Sequence, residues 1–500
     1  MLGLADGPCA RLRAEPERAI AMTMNRSASI APAELATWRS KSTGDVLVSA
    51  DPGFDQIVAE DVVVATPAVI VRPATAGDVG LAVSFATRHG LPVSVRGGGH
   101  GPFAVSDGDL LILLTSLDEV RVHDDGRVDV GGGAVWGQVA HALRPHGLAL
   151  SSGDTSSVGV GGLTLTGGVG WLVRRHGLAL DNLVAAEIVT ASGQVLAIDA
   201  EHHADLFWAI RGGGGNFGIV TRFTFQAHPL PGTVYYGTIT TTKPSDATGM
   251  AELLGRWRDV LHAADERLNS TVFVMPAEGR SPANCQFFVL WGGDNEDEAR
   301  AAIAPLLELP GILHTSFDLR PYVSVLEDGG EPEALEDILE SVSVDAPEPE
   351  AYVDDVVSEE HNAFVVLDDG VIASLAELSE QAPGSILSIR SMIGAVNRVV
   401  PTETAFGWRD TEALAIFTGI LPPGSGPQDI VRIEEQWSAI NAGRGVYGNF
   451  RDLVDDPFTH RVYAPVNTER LIETKRRWDP ENVFAGNHNI KPGPAHADYA

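Results

Sequence analysis

Pro92-Val-Ser-Val-Arg-Gly-Gly-Gly-His100-Gly101 and Gly153-Asp-Thr-Ser-Ser-Val-Gly-Val-Gly-Gly162 decide how this chain is read. Between and after them stand Gly131-Gly-Gly133 and Gly167-Gly-Val-Gly170, and a further cluster lies in Arg211-Gly-Gly-Gly-Gly-Asn-Phe-Gly218. Val, Leu and Ile runs separate the clusters, so this is no flexible linker. Glycine lets backbone N–H groups come close to a ligand, and successive amides form concave nests for phosphates and other electron-rich groups. The apolar run Leu91-Pro-Val-Ser-Val95 reads as a strand that delivers His100 to the edge of a large bound cofactor.

Outward from this core, Pro67–Pro73 reads as a short buried strand. Thr75 caps a helix over Asp78–His89 whose apolar face is Val79, Ala82, Val83 and Ala86. Gly90 ends it, and Leu91–Val95 completes a βαβ-like unit with Arg96-Gly-Gly-Gly99 at its carboxyl end. Leu110–Leu114 and Val128–Val130 are strands, and Trp136–His146 is a helix opening on a glycine cluster. Leu183–Ile198 is a strand pair turning at Ser192-Gly193, and Val220–Ala227 is a strand. His228-Pro-Leu-Pro-Gly232 marks a boundary. Beyond it, helices (Met250–Ala264, Asp294–Ala304) alternate with strands (Ser270–Met275, Cys285–Trp291).

The composition bounds the function. With 500 residues the chain exceeds one hydrophobic core. A net charge of −32 argues against nucleic acid, whose affinity needs clustered Lys and Arg, and against an anionic membrane surface. No apolar run is long enough to span a bilayer. Only four basic residues are lysines (Lys41, Lys243, Lys475, Lys491), a bias that suggests a GC-rich bacterial genome. The two cysteines, Cys9 and Cys285, exclude a cysteine metal cluster by count, and no metal site is expected. Met1–Ala21 has no apolar signal core, so cytoplasm is the expected location, with Met22 or Met24 as alternative starts. From Pro321 to Ile389 there is no Lys or Arg, and acidic residues are dense between Glu327 and Glu360. That run reads as a solvated acidic face.

Single glycine patterns are weak. Gly159-Val-Gly161-Gly162-Leu-Thr-Leu-Thr-Gly167 has the wrong spacing for a nicotinamide fingerprint. There is no P-loop, no zinc-binding His-Glu-x-x-His and no serine nucleophile elbow. His100 alone reads equally as a turn residue.

Taken together, the motifs are more specific. Arg96–Gly101, Gly153–Trp171, Gly177-Leu-Ala-Leu-Asp-Asn182, Leu206–Gly218 and Tyr447-Gly-Asn449 resemble the berberine-bridge-enzyme-like FAD-linked oxidases of the vanillyl-alcohol-oxidase/PCMH flavoprotein fold. The resemblance runs from about residue 45 to residue 492. It implies an α+β protein: a PCMH-type FAD-binding domain of two α/β subdomains with an inserted substrate domain, an antiparallel sheet plus helices. The expected organisation is an N-terminal tail (1–44), disordered or upstream of the true start, an FAD-binding domain (45–231), a substrate domain (232–442) and a returning segment (443–492).

The resemblance also implies site residues. His100 matches the histidine that links covalently to the flavin. Many relatives add a cysteine where this chain has Thr155, so a single link is expected. Val158 matches the position over the flavin's oxygen-reactive edge, or is a core valine. Arg96, Gly97, Gly98, Gly99, Gly101, Gly159, Gly161, Gly162, Asn216, Gly218 and Val220 would surround the cofactor. Asn449, Asn487 and Asn489 would meet the pyrimidine edge. FAD then carries the electron chemistry and the protein holds and tunes it. The substrate must lose a hydride and a proton, and Tyr447, ahead of Tyr463, is the candidate base, activated by Arg398 or Arg409; each tyrosine also reads as an ordinary core residue. The role of His176 stays open. The implied partners are a small organic substrate, an alcohol or amine of secondary-metabolite type, and O2, giving hydrogen peroxide. A carbohydrate oxidase, a dehydrogenase and a redox-silent flavin binder are the alternatives.

Overall fold

The computed structural model describes residues 30–59, 65–101, 106–277, 280–332, 358–420, 427–441, 443–450, 456–486 and 488–493. Three sheets organise them. The first has four strands in the order Asp45–Leu47, Val69–Arg72, Leu110–Leu113, Val93–Arg96. Its last three are mutually parallel, so the crossover helix Ala76–His89 lies against them. That helix starts where the sequence puts its cap. The Thr75 side chain accepts from the Asp78 amide, and the Asp78 carboxylate accepts from the amides of Thr75, Ala74 and Thr43. Buried Val79, Ala82, Val83, Phe85 and Ala86 form its inner face.

The second sheet is antiparallel, in the order Val120–Val122, Arg127–Gly131, Ile219–Gln226, Leu183–Val189, Val195–Asp199. Its core holds Trp136, Phe223, Phe225 and, from far along the chain, Tyr463 and Leu471. The carboxyl-terminal helix Pro465–Trp478 therefore packs on this unit.

The third sheet has seven antiparallel strands: Ile312–Arg320, Val234–Thr242, Asn284–Trp291, Leu268–Met275, Ile386–Ser391, Ala413–Ile420, Ser358–Val365. One face is closed by residues of the helices Ala247–Ala263, Asp369–Gln381 and Pro427–Ile440. The other meets Trp171, Leu172 and Val173 from the glycine-rich part and Tyr447 from the returning carboxyl-terminal segment. Buried Arg174 ties the two parts, donating to the carbonyls of Leu261, Leu268 and Ile393. The fold is thus α+β, a mixed unit with an antiparallel sheet and helices inserted into it.

Two expectations change. The tail does not reach residue 44: Pro32–Lys41 is a helix whose Trp38 is buried, its ring stacked on Phe85 at a centroid distance of 4.0 Å. A single tryptophan supplied enough apolar area to dock a segment of weak periodicity. The acidic run is not solely a solvated face either, since Glu331 pairs with buried Arg390; residues 333–357 of that run lie outside the described residues. No described helix is long and apolar enough to cross a membrane.

Candidate active site

The glycine clusters converge. A methyl group added at Gly98 would lie 2.5 Å from the Gly159 amide nitrogen, and one at Gly159 would lie 2.5 Å from that of Gly98. Only bare backbone fits there, so the loop after Val93–Arg96 sits on the loop before Val160–Thr166. Likewise a methyl at Gly132 would meet the Val220 carbonyl at 2.4 Å. Gly162 and Gly215, by contrast, have nothing within 4 Å of a notional Cβ: they face open space.

That space is a cavity of ≈ 160 Å³, within a void of ≈ 920 Å³ counting its solvent-open part. Gly97, Gly161, Gly162, Asn216, Gly218, Val220 and Asn449 line it, together with Ser94, Thr166, Phe484 and Gly486. Its size and mixed lining suit a large organic cofactor.

One side of the cavity is fixed by the returning carboxyl-terminal segment. The Asn216 amide donates to the carbonyls of Gly213 and His488 and to the Tyr463 hydroxyl, and its oxygen accepts from the Ile490 amide. Its own carbonyl takes a bond from Lys475 Nζ at 2.8 Å. Lys475 is wholly buried, 2.6 Å from the equally buried Asp479, and also donates to the Phe484 carbonyl. Burial lowers the Lys475 pKa and Asp479 opposes that fall. This pair sets the cavity wall, because Phe484 and Asn216 both line it.

Tyr447, buried, stands behind the lining residues Thr166 and Asn449. Its hydroxyl accepts from the Gly168 amide at 3.2 Å and from Asn449 Nδ2 at 3.2 Å, and Asn449 also reaches Thr166 Oγ1 at 2.6 Å. The Tyr447 backbone is clamped by Asn362 of the seven-stranded sheet, on both its N–H and its C=O. Burial raises the phenol's pKa; the bonds from Gly168, Thr166 and Asn449 pull the other way.

A cation lies beside it that sequence reasoning missed. Arg390, buried, is paired with Asp154 at 3.0 Å and Glu331 at 2.9 Å. Its guanidinium carbon is 5.4 Å from the Phe450 ring centroid, and its charge is coupled to Tyr447. Strand alternation explains its position: Leu387 and Ile389 face the helix-covered core, which turns Arg390 to the opposite face. One signal was present. Arg390 is the first basic residue after Arg320.

The expected activators are placed elsewhere. Arg398 is paired with Glu266 on the surface, and buried Arg409 is committed to Asp181 and Thr404. Tyr463 stands behind the lining, donating to the His488 carbonyl at 2.6 Å and accepting from Asn216 at 2.9 Å; its proton is held by the framework. Arg96, Gly99, His100 and Gly101 lie at or just past the end of the strand Val93–Arg96, with His100 and Gly101 exposed. Thr155 bonds its neighbour Asp154, and the Val158 carbonyl accepts from the Trp136 amide. Asn489 carries a buried amide oxygen with no partner among the described residues. Asn487 lies outside the described residues. His176 stacks on His228 at 4.0 Å rather than joining this site.

The FAD binding domain family matches residues 67–199, and the family described as berberine and berberine like matches residues 446–491. The (R)-6-hydroxynicotine oxidase of Paenarthrobacter nicotinovorans is 32% identical over 463 residues, 90% of this chain and 97% of that protein. The chitooligosaccharide oxidase of Gibberella zeae is 28% identical over 459 residues, 85% of this chain and 87% of that one. The crystal structure of 6-hydroxy-D-nicotine oxidase from Arthrobacter nicotinovorans superposes with a TM-score of 0.73 at 28% identity, covering 90% of this chain and 98% of that one. The cavity's glycine backbone lining, open at Gly162 and Gly215, with the Asn449 side chain beside it, fits FAD on chemical grounds. With an FAD-binding segment, a returning carboxyl-terminal segment and an oxidase matched along nearly its whole length, the chain belongs to the berberine-bridge-enzyme-like FAD-linked oxidoreductases.

Proposed function

We propose that this oxidoreductase is an oxidase for a small organic alcohol or amine of secondary-metabolite type, with O2 as electron acceptor and hydrogen peroxide as product. FAD, when bound, would supply the two-electron acceptor between the substrate and O2. Around it the chain's own groups have defined tasks. Backbone amides of the 97–101, 159–162 and 214–220 segments hold the cofactor, with His100 as its single covalent anchor, because Thr155 offers no thiol. Asn449 and Asn489 would hydrogen-bond its polar edge, and Val158, with its small side chain, would leave room for O2.

The observation that carries this reading is Tyr447, held by Gly168 and Asn449 just behind the cavity lining with Arg390 beside it. Tyr447 takes the proton from the substrate hydroxyl or amine as the carbon gives up its hydride; the hydride carries both electrons away, and a C=O or C=N bond forms. Arg390 favours the phenolate that this role requires. The (R)-6-hydroxynicotine oxidase likeness supports an amine or alcohol. The second reading, a carbohydrate oxidase, draws on the likeness to a chitooligosaccharide oxidase.

The test is anaerobic mixing of the purified holoprotein with panels of secondary alcohols, cyclic amines and oligosaccharides, followed by admission of air. Bleaching by an alcohol or amine, then rapid recovery with stoichiometric peroxide, is expected. Bleaching by oligosaccharides alone selects the second reading. Slow recovery in air points to a dehydrogenase, and reduction by dithionite only to a redox-silent binder.

A further inference from the structure

Tyr447 is only 4% exposed, so a molecule in the cavity meets Thr166 and Asn449 before it meets the phenol. Those two side chains come from distant parts of the chain. Thr166 closes the helix Val160–Thr166, and Asn449 lies in the short turn Gly448–Phe450 of the returning segment. The Asn449 amide nitrogen joins them: it donates to Thr166 Oγ1 at 2.6 Å and to the Tyr447 hydroxyl at 3.2 Å. One amide thus holds the two oxygens side by side, Thr166 on the cavity lining and Tyr447 behind it. The Gly168 amide, two residues after Thr166, supplies the second bond to Tyr447. Among the described residues the Tyr447 hydroxyl receives these hydrogen bonds and gives none.

A proton that leaves a molecule in the cavity needs a group that both accepts and donates. Asn449 does not qualify, because its amide nitrogen only donates and is already shared between the two oxygens. Ser94, the other hydroxyl of the lining, is committed to Asp109. Thr166 does qualify. Its oxygen has two lone pairs, of which Asn449 takes one. Its hydrogen goes to the carbonyls of Gly162 and Leu163, at 2.9 and 3.3 Å, within its own helix. That is the ordinary back-bond of a helical threonine, and turning the hydrogen from Gly162 to Tyr447 leaves the oxygen in place.

We infer that Thr166 is the proton relay of this site: its hydroxyl takes the proton of a substrate in the cavity and passes its own to Tyr447. The inference rests on the proposed role of Tyr447 as the base. As the substrate O–H or N–H bond breaks, a new O–H bond forms at Thr166 Oγ1. The original Thr166 O–H bond breaks, and its proton joins the Tyr447 phenolate. The threonine ends as it began, the tyrosine ends as a neutral phenol, and both electrons leave the substrate carbon with its hydride, as the oxidase reaction requires.

Thr166→Val keeps the shape and removes the hydroxyl, whereas Thr166→Ser keeps the hydroxyl. In anaerobic mixing of the holoprotein with the alcohol or amine that bleaches the flavin, Thr166→Val is expected to slow reduction about 10²-fold with flavin still bound. Thr166→Ser is expected to restore the rate. Because relay and base serve one proton, Tyr447→Phe with Thr166→Val is expected to be no slower than Tyr447→Phe alone. A second readout needs no substrate. In holoprotein carrying carbon-13 at tyrosine Cζ, the resonance that Tyr447→Phe deletes reports the ionisation of Tyr447. Thr166→Val is expected to move that titration to higher pH, since one bond to the phenolate is gone, and Thr166→Ser to return it. A Thr166→Val protein that keeps either the wild-type rate or the wild-type titration overturns the relay, as does a rate loss that multiplies in full with that of Tyr447→Phe. Slow Tyr447→Phe beside unimpaired Thr166→Val removes the relay alone, whereas Tyr447→Phe at the wild-type rate removes the base assignment and the relay with it.

Discussion

The Asp154 carboxylate and the Arg390 guanidinium lie 3.0 Å apart across the junction between the glycine-rich loop and the seven-stranded sheet. Arg390 thereby links the cofactor-binding part to Tyr447 and Phe450 of the returning segment. Replacing it with Gln removes the cation while leaving partly buried Asp154 unbalanced. Without that cation the Tyr447 phenolate is disfavoured, so its pKa rises and the alkaline-rising limb of the rate profile moves to higher pH. The expected loss in flavin reduction at neutral pH is about 10²-fold, with Arg390→Lys partly restoring both rate and profile. Anaerobic stopped-flow reduction across the neutral-to-alkaline range checks it; an unmoved pH profile assigns Arg390 to packing alone.

Tyr447 and Tyr463 separate the chemical role from the structural one. Tyr447→Phe removes the proton acceptor and is expected to slow reduction by about 10²- to 10⁴-fold while flavin stays bound. Tyr463→Phe leaves the His488 carbonyl with the Asn216 amide alone as donor and takes a partner from Asn216. The expected cost is about 1–3 kcal/mol of stability with a much smaller effect on rate. Urea titration and single-turnover kinetics on both variants make the comparison, and equal rate losses would undo the assignment.

What could be read from sequence follows from how local each signal is. The Thr75–Asp78 cap, the strand pair turning at Ser192-Gly193 and the glycine clusters are set within a few residues, and the structure carries each of them. The Gly98–Gly159 backbone contact was legible only as a composition, since proximity needs the two loops to be folded. Arg390 was beyond reach because its neighbours depend on the register of Ile386–Ser391 between Leu268–Met275 and Ala413–Ile420. For the same reason Arg398 and Arg409 looked equivalent to it. Trp38 misled for a different cause: its helix shows almost no amphipathic pattern, and one large ring fixes it.

His100 is the only proposed attachment point for the cofactor, so its removal has a physical readout independent of turnover. Acid precipitation of wild-type protein is expected to leave yellow flavin in the pellet. His100→Ala is expected to release it all to the supernatant while still binding FAD before precipitation, because the backbone cradle remains. Flavin released from the wild type would leave the fold standing and remove the covalent bond.

Lys475 and Asp479 are both wholly buried and 2.6 Å apart, and they hold Asn216 and Phe484 against the cavity. Asp479→Ala strands a buried ammonium and is expected to cost about 3–5 kcal/mol. Replacing both, as Lys475→Met with Asp479→Leu, removes the unpaired charge and is expected to cost less in stability, though the cavity wall loses its anchors and FAD affinity falls. Chemical denaturation of apoprotein alongside flavin titration separates the two effects. A double variant as unstable as the single one would mean that shape, not charge, dominates here.

His176 supplies a pH dependence of the fold. Its ring stacks on His228 at 4.0 Å, its Nε2 is buried without a partner among the described residues, and Asn182 Oδ1 sits 2.5 Å from His228 Nε2. Burial, then the neighbouring charges of His228 and Arg175, push the His176 pKa down to about 3. Because the folded value is below the unfolded one, near 6.5, the unfolded chain takes up a proton first as the pH falls. Stability contributed by the neutral ring is therefore complete above about pH 6.5 and drains away between there and about pH 3. The slope from this one residue stays below about 1.4 kcal/mol per pH unit, since the ring keeps some solvent contact. Thermal unfolding in a buffer series checks it: the wild-type midpoint should fall on acidification, and His176→Phe, which keeps the stack but cannot ionise, should flatten that fall. A variant that follows the wild-type slope would transfer the effect to the other buried groups.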